Sequence, residues 1–213
     1  MKLQPRKPPR YQQDYSTYFL TFCTFKRLPI LHEPGIPEFL VEELYFYEKK
    51  ILKLVAYTIM PDHVHLMVEV ENVKALSAFL RDFKKYTSAV LLKRLASESG
   101  RSRRSSDRRA EVSVQHRSDD RLLHLSRRSN DRLLHLDRVW QPGTMDHCIR
   151  MNWNGKDYEN HLSYIFYNSY KHLGIAPKDF PYHNFMKFVE QGYFDEDFCS
   201  VDEKIDKGLN IYE

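Results

Sequence analysis

The stretch YTIMPDHVHLMVEV, residues 57–70, constrains the fold more than any other part of the chain. Two apolar runs meet here and are separated by a Pro-Asp pair, which is typical of a tight turn. This pattern predicts two antiparallel strands that form a hairpin. Successive side chains of a strand lie on opposite faces, so His63 and His65 share one face while Val64 and its apolar neighbours share the other. We therefore expect helices on the valine face and two imidazoles on the open face of a sheet.

The segments around this hairpin predict an α+β fold. Alternating aromatic and β-branched residues indicate a strand at 17–27, and apolar residues at helical spacing indicate helices at 37–51 and 72–95. A further strand is expected from Val139 onward. The resulting order is that of a ferredoxin-like (RRM-like) antiparallel sheet with helices on one face. A helix predicted at 156–174 is additional to this arrangement.

The composition indicates a globular protein with a single core. Of the 213 residues, 42% are hydrophobic and 14% aromatic, which is enough to offset the entropy lost on ordering. The chain has no apolar run of about 18 residues and no secretory signal, so we expect no membrane association and a cytoplasmic, nucleoid-associated location. Cys23, Cys148 and Cys199 are far apart in sequence, which favours reduced thiols over disulfides or a zinc knuckle.

Positive charge is concentrated in two parts of the chain. A Pro-rich arm at 1–16 carries Lys7 and Arg10, and residues 101–138 contain 11 Arg and no Lys. Basic segments of this kind favour a polyanionic partner, although solubility alone also explains them.

The Arg-rich region repeats one theme, RSSDR, then RSDDRLLHL, then RSNDRLLHL. Three short copies cannot build a core of their own, so they indicate a low-complexity insertion that grew by duplication. His124 and His135 belong to this repeat and are not metal-ligand candidates. We expect a basic arm at 1–16 and an acidic tail at 190–213. Between them we expect a single domain at 17–189, which the insertion interrupts at about 97–138.

The two histidines of the hairpin can bind one cation through neighbouring ring nitrogens, provided that a third ligand exists. The helix at 156–174 has a polar stripe at spacings of four, four and three residues, formed by Asn160, Tyr164, Asn168 and Lys171. Tyr164 and Asn168, one turn apart, can bring a phenol and an amide oxygen to the same place. From the residues alone, an incidental His-x-His and an ordinary solvated helix face remain open alternatives.

These segments resemble a known family. MPDHVHLMVEV is similar to the metal-binding strand of HUH nucleases, and SYIFYNSYKHLG is similar to the tyrosine helix of single-tyrosine HUH transposases, most closely the REP-associated tyrosine transposase family. Four further segments resemble that family in the same order, namely YFLTFCTFKRLPIL, LSAFLRDFKKYTS, VWQPGTMDHCIR and PKDFPYHNFMKFVEQGYF. The resemblance implies that His63, His65 and Asn168 bind a divalent metal, Mg²⁺ or Mn²⁺, and that Tyr164 is the nucleophile. Ser169 is a departure, because the family commonly has proline after the asparagine.

The family implies a transposase that cleaves and rejoins single-stranded or hairpin DNA, at REP-like palindromes, through a 5′-phosphotyrosine. The predicted DNA contacts are Arg81, Lys84 and Lys85 of the second helix, together with Lys171, Lys7 and Arg10. Three alternatives remain: a catalytically inactive hairpin-binding protein, a replication or mobilisation initiator, and a metal hydrolase of small substrates. A monomer and a homodimer are both compatible with the sequence.

Overall fold

The structure, a computed structural model, describes residues 13–48, 50, 52–102, 136–150 and 155–199. Its strands and helices follow in the order β1 (Ser16–Cys23), α1 (Ile36–Glu48), β2 (Lys53–Ile59), β3 (His63–Val70), α2 (Val73–Ser102), β4 (Met145–Cys148), α3 (Lys156–Leu173) and α4 (Phe185–Glu190). The four strands form one antiparallel sheet in the order β2-β3-β1-β4. The α+β fold and the β2–β3 hairpin are therefore confirmed.

One face of the sheet is packed against α1 and α2. The alternation of β1 and β3 brings Leu20, Phe22, Leu66 and their apolar neighbours to this face, where they meet Phe83 of α2. Such alternation buries every second side chain in a single apolar core. The valine face of β3 thus lies against helices, as its sequence predicts.

The opposite face is covered too, by α3 and α4. Phe19 and Met67 of the sheet pack there against a broad apolar side of α3 that includes Ile165 and Phe166. The expectation of an open histidine face is wrong, because α3 is apolar enough to bury that face. His65 is fully buried as a result.

The boundaries of three elements differ from the predicted ones. β1 ends at Cys23, and the chain then turns through Lys26 and Arg27, which have left-handed backbone angles of φ 56° and 55°. The last strand starts at Met145, whereas Trp140 makes only an isolated bridge. α2 extends through Ser102, so the first residues of the predicted insertion are helical.

The rest of the insertion and the basic arm with Lys7 and Arg10 lie outside the described residues. Within the described ranges, none of the helices combines the length and the apolar character that crossing a membrane requires.

Candidate active site and metal centre

The two histidines of β3 lie side by side, with ring centroids 4.7 Å apart. Each is held through its Nδ1 atom: His63 by Asp62 Oδ1 at 2.6 Å, and His65 by Thr21 Oγ1 at 2.8 Å. Thr21 is the residue of β1 paired directly with His65, so the sheet register itself creates this contact. Partners at Nδ1 fix the orientation of an imidazole and make Nε2 the nitrogen that binds a cation.

The helix α3 brings Tyr164 and Asn168 to this pair. The ring of Tyr164 lies 5.4 Å from that of His65, and Asn168 is fully buried one turn later. Its side-chain nitrogen donates to the Tyr164 carbonyl oxygen at 2.6 Å, and its amide also interacts with His65. Because the amide nitrogen is bonded within the helix, the carbonyl oxygen is the atom that Asn168 can offer to a cation.

The electrostatics of the pair favour a neutral His65. Burial lowers its pKa well below the usual range, and the nearby His63, His172 and Arg27 act in the same direction, while the Asn168 amide opposes them only in part. For Asp62, burial raises the pKa of the carboxyl, but the hydrogen bond from His63 and its charge outweigh that effect, so the pKa is lowered overall. A neutral imidazole and an ionised carboxylate are the forms that a metal centre requires.

Two residues near the pair were missed by the sequence prediction. Arg27 Nη1 lies 3.5 Å from Asp62 Oδ2, and the ring of His172 lies 5.6 Å from that of His63. His172 continues the i, i+4 series of Tyr164 and Asn168, so its spacing was a usable signal. Arg27 gave no such signal, since its position depends on the left-handed turn after β1.

The predicted DNA contacts are divided between the two faces of the sheet. Lys171 Nζ lies 5.3 Å from the centroid of the Tyr164 ring, which in turn lies 5.4 Å from the ring of His65. Arg81, Lys84 and Lys85 belong to α2, whose apolar side packs on the other face, so the structure does not bring them to the histidine pair.

The α2 cations also have local partners. Lys84 Nζ donates to the Gly143 carbonyl oxygen and to Thr144 Oγ1, and burial lowers its pKa to about 8. Arg81 Nε donates to Asp82 Oδ1 at 2.8 Å on the exposed surface. Lys84 is therefore held by the turn before β4, which makes it a structural cation.

The chain is similar in sequence to known transposases. A sequence profile of the family described as "Transposase IS200 like" matches residues 12–105. A Haemophilus influenzae protein that carries the name REP-associated tyrosine transposase is 25% identical over 196 residues, which is 88% of this chain and 92% of the relative. Over most of its length the chain thus resembles the REP-associated tyrosine transposases.

Two further similarities agree with this family. The Escherichia coli REP-associated tyrosine transposase is 36% identical over 62 residues, 29% of this chain and 36% of the relative. The solved structure of a REP-associated tyrosine transposase bound to a REP hairpin superposes with a TM-score of 0.54 at 18% identity, over 97% of this chain and 94% of that one. At this identity the superposition establishes the fold.

Proposed function

We propose that this protein is a transposase of the REP-associated tyrosine type, and that it cleaves and rejoins single-stranded DNA at hairpins of the REP type with Tyr164 as the nucleophile. The observation that carries the proposal is the position of Tyr164, one helix turn from Asn168 and 5.4 Å from the ring of His65. The hairpin substrate is supported by the solved relative, which is bound to a REP hairpin. A DNA-joining enzyme of this kind is expected to work on the nucleoid.

The donor set around His65 fits a divalent metal. His63 and His65 would bind it through Nε2, because both Nδ1 atoms have partners, and Asn168 would add its carbonyl oxygen. Two imidazoles suit Mn²⁺ better than Mg²⁺, which prefers oxygen ligands. When bound, the metal would supply positive charge to the scissile phosphate and its leaving oxygen.

The chemistry then requires one covalent exchange. The Tyr164 phenol oxygen attacks the phosphorus, the bond to the 3′ oxygen breaks, and that oxygen takes a proton to become a free 3′ hydroxyl. The phenol gives up its own proton, which is costly at pH 7 because its ordinary pKa is about 10. The 5′-phosphotyrosine keeps the energy of the phosphodiester, so a second 3′ hydroxyl can reverse the attack and join strands without ATP.

Two cations flank this reaction centre and suit the phosphates on either side of the cleaved bond. Lys171 lies over the Tyr164 ring, and Arg27 lies beside Asp62 with about half of its side chain exposed. Both are on the histidine face. We assign the closest phosphate contacts to them, while Arg81 and Lys85 would contact DNA only farther from the cleaved bond.

The position of Tyr164 also supports action within one chain. It lies beside the histidines of its own sheet, so a monomer would hold a full set of catalytic groups. Ser169, the departure from the family pattern, donates to the Phe166 carbonyl oxygen at 3.2 Å and continues the helix without interruption.

The test is to incubate the protein with labelled single-stranded hairpin DNA in Mn²⁺, Mg²⁺ or EDTA, and to look for an adduct that survives denaturation. We expect a metal-dependent adduct that Tyr164→Phe abolishes. Tyr167→Phe is the matched control, since it removes a phenol from the same buried helix segment and should keep the adduct. Tight hairpin binding with no adduct in any metal would contradict the proposal and favour an inactive binding protein.

A further inference from the structure

A second group of metal-binding side chains lies at the β4 edge of the sheet. His147 of β4 and Asp157 and His161 of α3 each offer one ligand atom, and these atoms lie within 4.8 Å of one another. His147 Nε2 is 3.1 Å from Asp157 Oδ2, and His161 Nδ1 is 3.1 Å from Asp157 Oδ1. The two imidazole rings are stacked with their centroids 4.7 Å apart.

This group is separate from the site of Tyr164. Phe19 lies between the two, with its ring 4.8 Å from that of His161, 5.4 Å from that of His65 and 6.1 Å from that of Tyr164. The two sets share no residue. The proposed cleavage reaction therefore leaves the second group without a role.

The spacing and the chemistry of the three side chains suit zinc. Two nitrogens and one carboxylate oxygen are common zinc ligands, and ligand atoms around a tetrahedral zinc lie about 3.4 Å apart. The 3.1 Å between His147 Nε2 and Asp157 Oδ2 is close to that spacing. His161 Nδ1 also lies 2.7 Å from the Asp157 backbone carbonyl oxygen, so His161 must give up that hydrogen bond or offer Nε2 to bind an ion. Three protein ligands would leave one position for water or for a ligand from outside.

The protonation states at neutral pH are compatible with binding. Burial lowers the pKa of His161, which keeps its imidazole neutral. For Asp157, burial raises the pKa, but the backbone N–H of Arg150, at 2.7 Å, and His147 lower it further than burial raises it. That N–H also orients the carboxylate, as an outer hydrogen bond does in known metal sites.

The group can be reached from solvent. The side chain of His147 is 40% exposed and that of His161 only 9%, so the site has one open side and one buried side. His147 is therefore the side from which an ion would enter.

We propose that His147, Asp157 and His161 form a second metal site, which binds a zinc-like transition-metal ion and ties β4 to the start of the tyrosine helix. His161 precedes Tyr164 by three residues, so an ion here would brace the helix that carries the nucleophile. The site is structural, because it touches none of the reacting groups. A hydrogen-bonded His-Asp-His cluster without metal is the competing interpretation.

The test measures metal binding alone, without DNA, so it succeeds or fails independently of the cleavage proposal. The full chain with His63→Ala and His65→Ala is titrated with Zn²⁺ against a chromophoric chelator, and with Co²⁺ by visible absorption. We expect one bound equivalent to remain in this background. Adding His147→Ala should weaken its binding at least tenfold and remove the Co²⁺ bands.

Asp146→Asn is the matched control, because Asp146 is the neighbour of His147 in β4 and lies on the opposite face. It should leave the bound equivalent unchanged. His147 is partly exposed, so its replacement should keep the fold, and a thermal melt in EDTA checks this. The proposal is overturned if the His63→Ala/His65→Ala protein binds no zinc, or if His147→Ala in that background binds it as tightly.

Discussion

The two faces of the central sheet use the same strands for different purposes. On the side of α1 and α2, β1 presents Leu20 and Phe22 to an apolar core. On the side of α3, the same strand presents Thr21, which holds His65, and Phe19, which packs against both histidine clusters. A period of two thus lets one strand contribute to stability with one face and to chemistry with the other.

The faces also differ in how they meet the cost of burial. The face that packs against α1 and α2 buries apolar surface, which is favourable in itself. The histidine face buries an apolar cluster too, but it also buries imidazoles and an amide, which is tolerable only when each polar group has a partner. Asp62, Thr21 and the Tyr164 carbonyl oxygen provide such partners. Substitutions on the two faces should therefore have different consequences.

The two faces should differ most clearly in the effect of a substitution at Tyr164. Tyr164→Phe removes the attacking oxygen, so adduct formation should fall by at least about 10³-fold, which corresponds to about 4 kcal/mol. The phenyl ring keeps its packing against Phe19 and His65, so the free energy of unfolding should change by no more than about 1 kcal/mol. Denaturant unfolding beside the adduct assay measures both. A large loss of stability would show that the phenol group of Tyr164 also stabilises the fold.

At Phe83, on the face that packs against α1 and α2, we expect a loss of stability with little loss of activity. Phe83 is fully buried against Phe22, Tyr47, Phe79 and Trp140. Phe83→Ala leaves a cavity and should lower the free energy of unfolding by about 3–5 kcal/mol. Adduct formation well below the new melting temperature should stay within a few-fold of the parent value.

The exposed Tyr86 of the same helix is the control for Phe83. Tyr86→Ala should cost about 1 kcal/mol or less, since half of its surface is already in water. Loss of adduct formation in folded Phe83→Ala would mean that the two faces are coupled.

A pH effect is expected on the histidine side of the sheet, at His183. Burial lowers the pKa of this imidazole to about 4, and its Nδ1 accepts a hydrogen bond from the Phe185 backbone N–H. The unfolded chain takes up the proton near pH 6.5, before the folded one does. Stability is therefore fully present above about pH 6.5 and is lost as the pH falls toward 4, by up to about 3 kcal/mol.

The measurement is the free energy of unfolding in EDTA from pH 7 to 4, for the parent and for His183→Gln. The difference between the two curves isolates His183 from the other groups that titrate in this range. The variant should have the shallower pH dependence. Parallel curves would contradict the assignment.

Local patterns in the sequence predicted the face assignment of β3 and the grouping of Tyr164 with Asn168, because strand and helix periods determine both. The long-range contacts were not predictable. Lys84 has the spacing of an exposed cation, yet its Nζ donates to the carbonyl oxygen of Gly143, in a turn 59 residues later. Arg27 reaches Asp62 only because two consecutive residues adopt left-handed angles, which no propensity of Lys or Arg favours. The histidine face is covered because α3 packs against it, and a helical wheel does not predict which surface a helix packs against.

The smallest expected effect is the difference between the substitution of two cations, one from each side of the sheet. Arg27→Ala removes a charge beside the proposed reaction centre and should slow adduct formation about tenfold, or about 1.4 kcal/mol of transition-state stabilisation. Arg81→Ala removes the same charge from α2, where the side chain is exposed and paired with Asp82, and should change the rate by less than about twofold. Single-turnover rates with the same labelled hairpin, measured at two salt concentrations, distinguish a local effect from general attraction for DNA. If the two variants lose activity equally, the α2 side also carries the DNA, and the division of labour between the two faces would not extend to substrate binding.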